Sequence, residues 1–133
     1  MDGSTPSVRI FEDADALACG GADQFLRRAV EEVDAKGAFY VALSGGSTPQ
    51  RLFGLLAAEP YLSQIPWARI HFFWGDERTV PPDHRDSNFG AANELLLSRV
   101  PVPVENVHRM AAERSTAGCD SQLLALATCR PGT

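Results

Sequence analysis

The stretch Phe39-Tyr40-Val41-Ala42-Leu43-Ser44-Gly45-Gly46-Ser47-Thr48-Pro49 limits what this chain can become more than any other part of it. A short, nearly continuous apolar run stops in a glycine pair and restarts as a helix. Such a run is the form taken by strands buried on both faces of a parallel sheet. Gly45 and Gly46 open backbone angles closed to other residues and let a ligand approach the main chain. Ser47 or Thr48 can cap the helix that follows, and Pro49 suits its first position, where a missing N–H costs nothing. Leu52, Phe53, Leu55 and Leu56 then supply an apolar face. The reading is strand, phosphate loop, helix: unpaired N–H groups and the helix dipole together attract an anion, most often a phosphate. The same glycines also suit a tight turn with no ligand. The loop lacks the Gly-Lys-Ser/Thr ending of a Walker loop and the third glycine of a dinucleotide fingerprint.

On either side the pattern alternates. Val8 to Phe11 predicts a strand, and Glu12-Asp13-Ala14-Asp15 favours a helix start. Leu17, Phe25, Leu26, Ala29 and Val33 then recur at helical spacing. Gly20-Gly21 weakens that helix at its middle, and Lys36-Gly37 stops it. Beyond the second helix, Glu59-Pro60-Tyr61 marks a break, and Arg69 to Trp74 predicts another strand. Gly75-Asp76-Glu77-Arg78 concentrates charge at its carboxyl end, the edge where open parallel sheets bind ligands. Val80 to His84 is a stiff loop, and Ser87 caps a helix carrying Phe89, Ala92, Leu95 and Leu96. Pro101 and Pro103 end that helix, and Val107 to Met110 predicts a fourth strand. The alternation predicts an α/β fold: a mostly parallel sheet with helices on both faces and right-handed crossovers.

Over 133 residues, 44% hydrophobic and 22% charged, the composition is that of one soluble globular domain. No internal repeat or dividing linker interrupts it. Residues 8–113 read as a single unit, while 114–133 differ: few charges, scattered Ser, Thr and Gly, and at most one short helix around Leu123, Leu124 and Leu126. A net charge of −5 argues against general binding to nucleic acid or acidic membranes, so a phosphate site must be locally basic. Cys19, Cys119 and Cys129 are odd in number, with no CxxC pair and no spacing suited to zinc. They read as reduced thiols, which with the absence of a signal core or a run of ~20 apolar residues makes the cytoplasm the expected location.

Three blocks then act together: Ser44 to Pro49, Phe72-Phe73-Trp74-Gly75-Asp76-Glu77-Arg78-Thr79-Val80-Pro81, and Asp86-Ser87-Asn88-Phe89. In order and spacing they resemble the N-terminal part of 6-phosphogluconolactonases, over about Val8 to Met110. The resemblance implies a modified Rossmann-like α/β domain that hydrolyses 6-phosphoglucono-δ-lactone to 6-phosphogluconate, in the oxidative pentose phosphate pathway, without metal or organic cofactor. The related glucosamine-6-phosphate deaminases typically follow the shared Asp-Glu with Tyr, where this chain has Arg78. A deaminase-like enzyme and a non-catalytic sugar-phosphate binding module are the competing readings. The family's Gly-x-Gly-x-Asp-Gly-His block, whose histidine is the proposed base, falls beyond this chain, and the tail after Glu113 does not match the family's continuation. The resemblance therefore implies a truncated unit, and none of His71, His84 and His108 inherits the base role.

By the same resemblance, Gly45, Gly46, Ser47 and Thr48 donate main-chain and hydroxyl hydrogen bonds to a sugar phosphate, and Arg78 pairs with it through its planar fork. An ion pair from Arg78 to Asp76 or Glu77 is the alternative. Asp76 and Glu77 orient Arg78 and nearby loops, while Ser87 and Asn88 either line the site or cap a helix. Arg51 and Arg85 read as solvated charges, His84 as a surface loop residue, and Trp67 and Trp74 as packing. Neither Ser44 nor Ser47 sits in the Gly-x-Ser-x-Gly elbow of a covalent nucleophile.

Overall fold

The computed structural model describes residues 8–113. Helix α1 spans Ala14–Lys36; strand β1, Phe39–Leu43; helix α2, Ser47–Leu56; a short helix α3, Tyr61–Gln64; strand β2, Ile70–Trp74; and helix α4, Asn88–Ala92, which runs on into a π-helical turn, Asn93–Leu97. Local signals account for most of these boundaries. Asp13 accepts a hydrogen bond from Ala16 N at 2.8 Å and so caps α1, and Gly37 closes it by donating from its N–H to Val33 O at 2.8 Å. Ser87 caps α4 by accepting from Gly90 N at 3.0 Å.

β1 and β2 pair in parallel, Phe39 opposite Ile70 through Leu43 opposite Trp74. This register puts Phe39, Val41, Leu43, Ile70, Phe72 and Trp74 on one face and Tyr40, Ala42, His71 and Phe73 on the other. The first face is the core. Ala22 and Ala29 of α1, Phe53 and Leu56 of α2, and Leu96 beyond α4 bury against it with Trp67. Among the described residues the helical layer lies on this face. Continuous apolarity predicts that β1 is buried on both sides; instead its exposure alternates, and Tyr40 is 41% exposed.

Three further expectations need correction. Val8 to Phe11 is not a strand: it pairs with no neighbour among the described residues, and Val8 and Ile10 point into solvent. Phe11 instead lies on α1, so close to Gly20 that a β-carbon there would stand 2.5 Å from the ring. Gly20 therefore admits a side chain, and the glycine pair does not break the helix, which continues for 23 residues. The fourth strand shrinks to a single parallel bridge between Phe72 and Val107, with His108 N donating to Phe72 O at 2.9 Å. Finally, the residue before α2 is Gly46, without a side-chain cap, in place of Ser47 or Thr48.

The second sheet face carries an aromatic stack. Tyr40 lies 5.0 Å from His71, and Phe73 lies 4.6 Å from His108, ring centre to ring centre. His71 Nδ1 and His108 Nε2 are 3.2 Å apart, a contact that requires one ring to donate and the other to accept. Burial pushes the His71 pKa below its ordinary value; burial and then the neighbouring His71 push His108 the same way. The folded state thus binds fewer protons than the unfolded one. Stability from this pair is fully present above the unfolded value near 6.5 and is lost as pH falls through the lowered folded values. The urea midpoint is expected to drop between about pH 7.5 and about pH 5, and to drop less in His71→Phe. Equal pH dependence in the two proteins would show that the imidazole pair contributes nothing.

Candidate active site

The site grows from the carboxyl ends of the two strands. Gly75 N donates to Leu43 O at 3.0 Å, so the chain leaving β2 starts beside the loop leaving β1. Gly46, at φ 108°, holds a conformation that L side chains rarely adopt, and it turns the chain into α2. The first N–H groups of α2, those of Ser47 and Thr48, have no carbonyl a turn earlier in the helix to accept them.

Gly45 serves a different purpose. A β-carbon there would stand 2.1 Å from the side-chain oxygen of Asn88. Asn88, itself only 8% exposed, fills that space and donates from Nδ2 to Asp76 O at 3.2 Å and Oδ1 at 3.4 Å. The glycine loop, the Asp76 turn and the start of α4 are thereby locked together. Glu77 is the second lock. Its Oε1 accepts from Arg78 N at 2.8 Å and Asn88 N at 2.6 Å, and its Oε2 from Ser87 Oγ at 2.8 Å and Phe89 N at 3.0 Å. Behind it, Trp74 and Phe89 meet edge to face at 5.3 Å. Arg109 lies 5.9 Å over the Phe89 ring and makes a forked pair with Glu113 at 3.0 and 2.8 Å, a contact that raises its pKa.

These locks frame a cleft of about 500 Å³ lined by Gly45, Gly46, Arg78, Ser87 and Asn88, and also by Gln50, Thr79, Val80, Arg85, Asp86 and Ala91. Among the described residues the Arg78 guanidinium forms no ion pair, so the alternative pairing with Asp76 or Glu77 is not made. Arg78 is exposed and faces the same cleft as the glycine loop. Of the residues expected here, Thr48 goes elsewhere: it lines an apolar groove of about 340 Å³ with Leu17, Phe25, Pro49 and Leu52. Ser47 is exposed at the start of α2 and is not among the lining residues. Gln50 carries no assignment from the sequence and Arg85 reads there as a solvated charge, yet both line the cleft. Gln50 falls one helical turn after Gly46, a spacing that signals a shared face; Arg85 carries no such signal. None of the three histidines lines this cleft: His71 and His108 sit on the sheet, and His84 borders a neighbouring cleft of about 570 Å³.

Two parallel strands ending in a glycine loop and an arginine-bearing turn, both facing one cleft, define an α/β domain of the kind that takes ligands at the carboxyl ends of its strands. The chain belongs to the family of glucosamine-6-phosphate isomerases and 6-phosphogluconolactonases, whose model matches residues 12–129. It is 49% identical over 74 residues to a 6-phosphogluconolactonase of Haemophilus influenzae, covering 56% of this chain and 32% of that one. With the 6-phosphogluconolactonase of Nostoc it shares 43% over 102 residues, 77% of this chain and 41% of that one. Its fold superposes on the crystal structure of 6-phosphogluconolactonase from Thermotoga maritima with a TM-score of 0.80 at 30% identity, covering 92% of this chain and 54% of that one. The chain thus spans a third to about half the length of these relatives. Among the described residues, no helix is long and apolar enough to cross a membrane.

Proposed function

We propose that residues 8–113 are the N-terminal part of a single lactonase-like domain and form the substrate-holding part of a site for 6-phosphoglucono-δ-lactone, the lactone hydrolysed to 6-phosphogluconate in the cytoplasm. The observation that carries this reading is the convergence of an ion-pair-free Arg78 and the glycine loop on one cleft. Gly45 and Gly46, which line the cleft, offer N–H donors to the phosphate, the Ser47 and Thr48 amides follow them at the start of α2, and Arg78 offers a forked cationic donor. Ser87 and Asn88 line the wall, with Asp76 and Glu77 holding them in place. Thr48 is assigned a main-chain donor only, because the residue lines the apolar groove and not this cleft. Hydrolysis of a lactone also needs a base to activate water. No histidine lines the cleft, so the described residues hold the substrate and none of them is assigned that step.

Arg78→Ala is expected to weaken binding of 6-phosphogluconate by about 1.5–3 kcal/mol, the range for a hydrogen bond to a charged group. Titration calorimetry measures it. An unchanged affinity would assign Arg78 to another role and remove the main support for the reading.

A further inference from the structure

We propose that Arg85 is a second anion-binding arm of this cleft, one that closes over a phosphorylated ligand already held by the glycine loop and Arg78; the inference rests on the sugar-phosphate reading above. Sequence position alone suggested a solvated charge, but Arg85 lines both the Arg78 cleft and the larger neighbouring one, which meet at Gln50, Arg85 and Ala91. From that boundary a long side chain can reach into either space.

The backbone under it is fixed. His84 N donates to Pro81 O, Ser87 N donates to His84 O, and Asp86 N donates to His84 Nδ1, each at 3.0 Å. Movement is therefore left to the side chain, which is 93% exposed. Its ion pair among the described residues is with Asp86 at 3.9 Å, and the Asp86 side chain is itself 62% exposed. A pair so long and so hydrated holds the guanidinium weakly.

Charge supplies the reason for a second arm. The whole chain carries −5, yet the cleft lining has two arginines against one acid, Asp86. Without Arg85 the lining would be neutral, a poor match for a phosphate that carries between one and two negative charges at neutral pH. A flexible arginine loses conformational freedom when it closes, so its gain is smaller than that of a fixed donor.

The test is calorimetry on the full chain with two ligands, 6-phosphogluconate and unphosphorylated gluconate. Arg85→Ala is expected to weaken 6-phosphogluconate binding by about three- to tenfold while leaving gluconate as it was, with Arg85→Lys falling between. The thermal midpoint should hardly move, because the side chain is almost fully exposed and its pair with Asp86 is long and hydrated. Equal affinity of Arg85→Ala and the unaltered chain for 6-phosphogluconate overturns the inference. So does an equal loss for both ligands, which would show that Arg85 does not read the phosphate. If Arg78→Ala weakens binding and Arg85→Ala does not, the sugar-phosphate reading stands and this inference alone fails. If the unaltered chain binds no 6-phosphogluconate, both fall.

Discussion

Replacing Glu77 with alanine is expected to lower the stability of the domain by roughly 3 kcal/mol and to weaken sugar-phosphate binding, although Glu77 does not line the cleft. Its carboxylate accepts four hydrogen bonds, from Arg78 N, Ser87 Oγ, Asn88 N and Phe89 N. The amides of Asn88 and Phe89 belong to the first turn of α4, where a helix cannot satisfy its own donors, and a negative charge there also meets the favourable end of the helix dipole. Ser87 is 2% exposed and Asn88 8%, so water cannot freely replace the lost acceptor. Each donor left bare costs about 1–3 kcal/mol, and partial solvation of Arg78 N and Phe89 N keeps the total well below the sum. Asn88 would then lose its fixed place against Gly45, and the cleft its shape. Glu77→Gln, which keeps an oxygen in place, should lose less. Urea denaturation reads the stability and calorimetry the affinity. A stability change under about 1 kcal/mol would mean that these donors find other partners.

A second large effect is expected at Phe72. Its side chain is fully buried, stacks on Trp67 at 6.4 Å and sits in the strand that joins β1 on one side and Val107 on the other. Phe72→Ala should cost about 3–5 kcal/mol, the lost transfer of a ring plus the cavity it leaves. Tyr40→Ala, on the exposed sheet face, should cost far less. The pair of urea midpoints tests which face is the core. Similar losses at both positions would mean that the Tyr40 face is as tightly covered as the Phe72 face.

The order of the pieces was legible from the sequence because the signals are local. An apolar run, a glycine pair and a helical repeat predict β1, the loop and α2 from adjacent residues. Caps belong to the same class: Asp13 at α1, Gly37 at its end and Ser87 at α4 all act within four residues of their partners. Clustered charge after Trp74 likewise pointed to the strand end that carries Arg78. The family resemblance rested on the same blocks and agrees with the matched family and fold.

What the sequence left open depends on residues far apart in the chain. An apolar run at Val8 to Phe11 looks like a strand, but a strand needs a neighbour, and Phe11 finds α1 at Gly20 instead. Gly45 looked like a residue opened for a ligand. In the folded chain it lines the cleft, and its missing side chain also makes room for Asn88, 43 positions on. For Glu77 the sequence offered an ion pair with Arg78 or a role orienting nearby loops; the approach of α4 brought it the Asn88 and Phe89 amides and left the guanidinium to the cleft. Thr48 and Arg85 lie where local sequence did not put them for the same kind of reason: Thr48 lines the apolar groove, and the loop from Pro81 to Ser87 carries Arg85 to the cleft wall. Local chemistry set the elements and their ends. Which side chains share the cleft was decided only when β1 and β2 paired and α4 closed against the glycine loop, because hydrogen bonds and contacts of that range exist only between segments the fold has brought together.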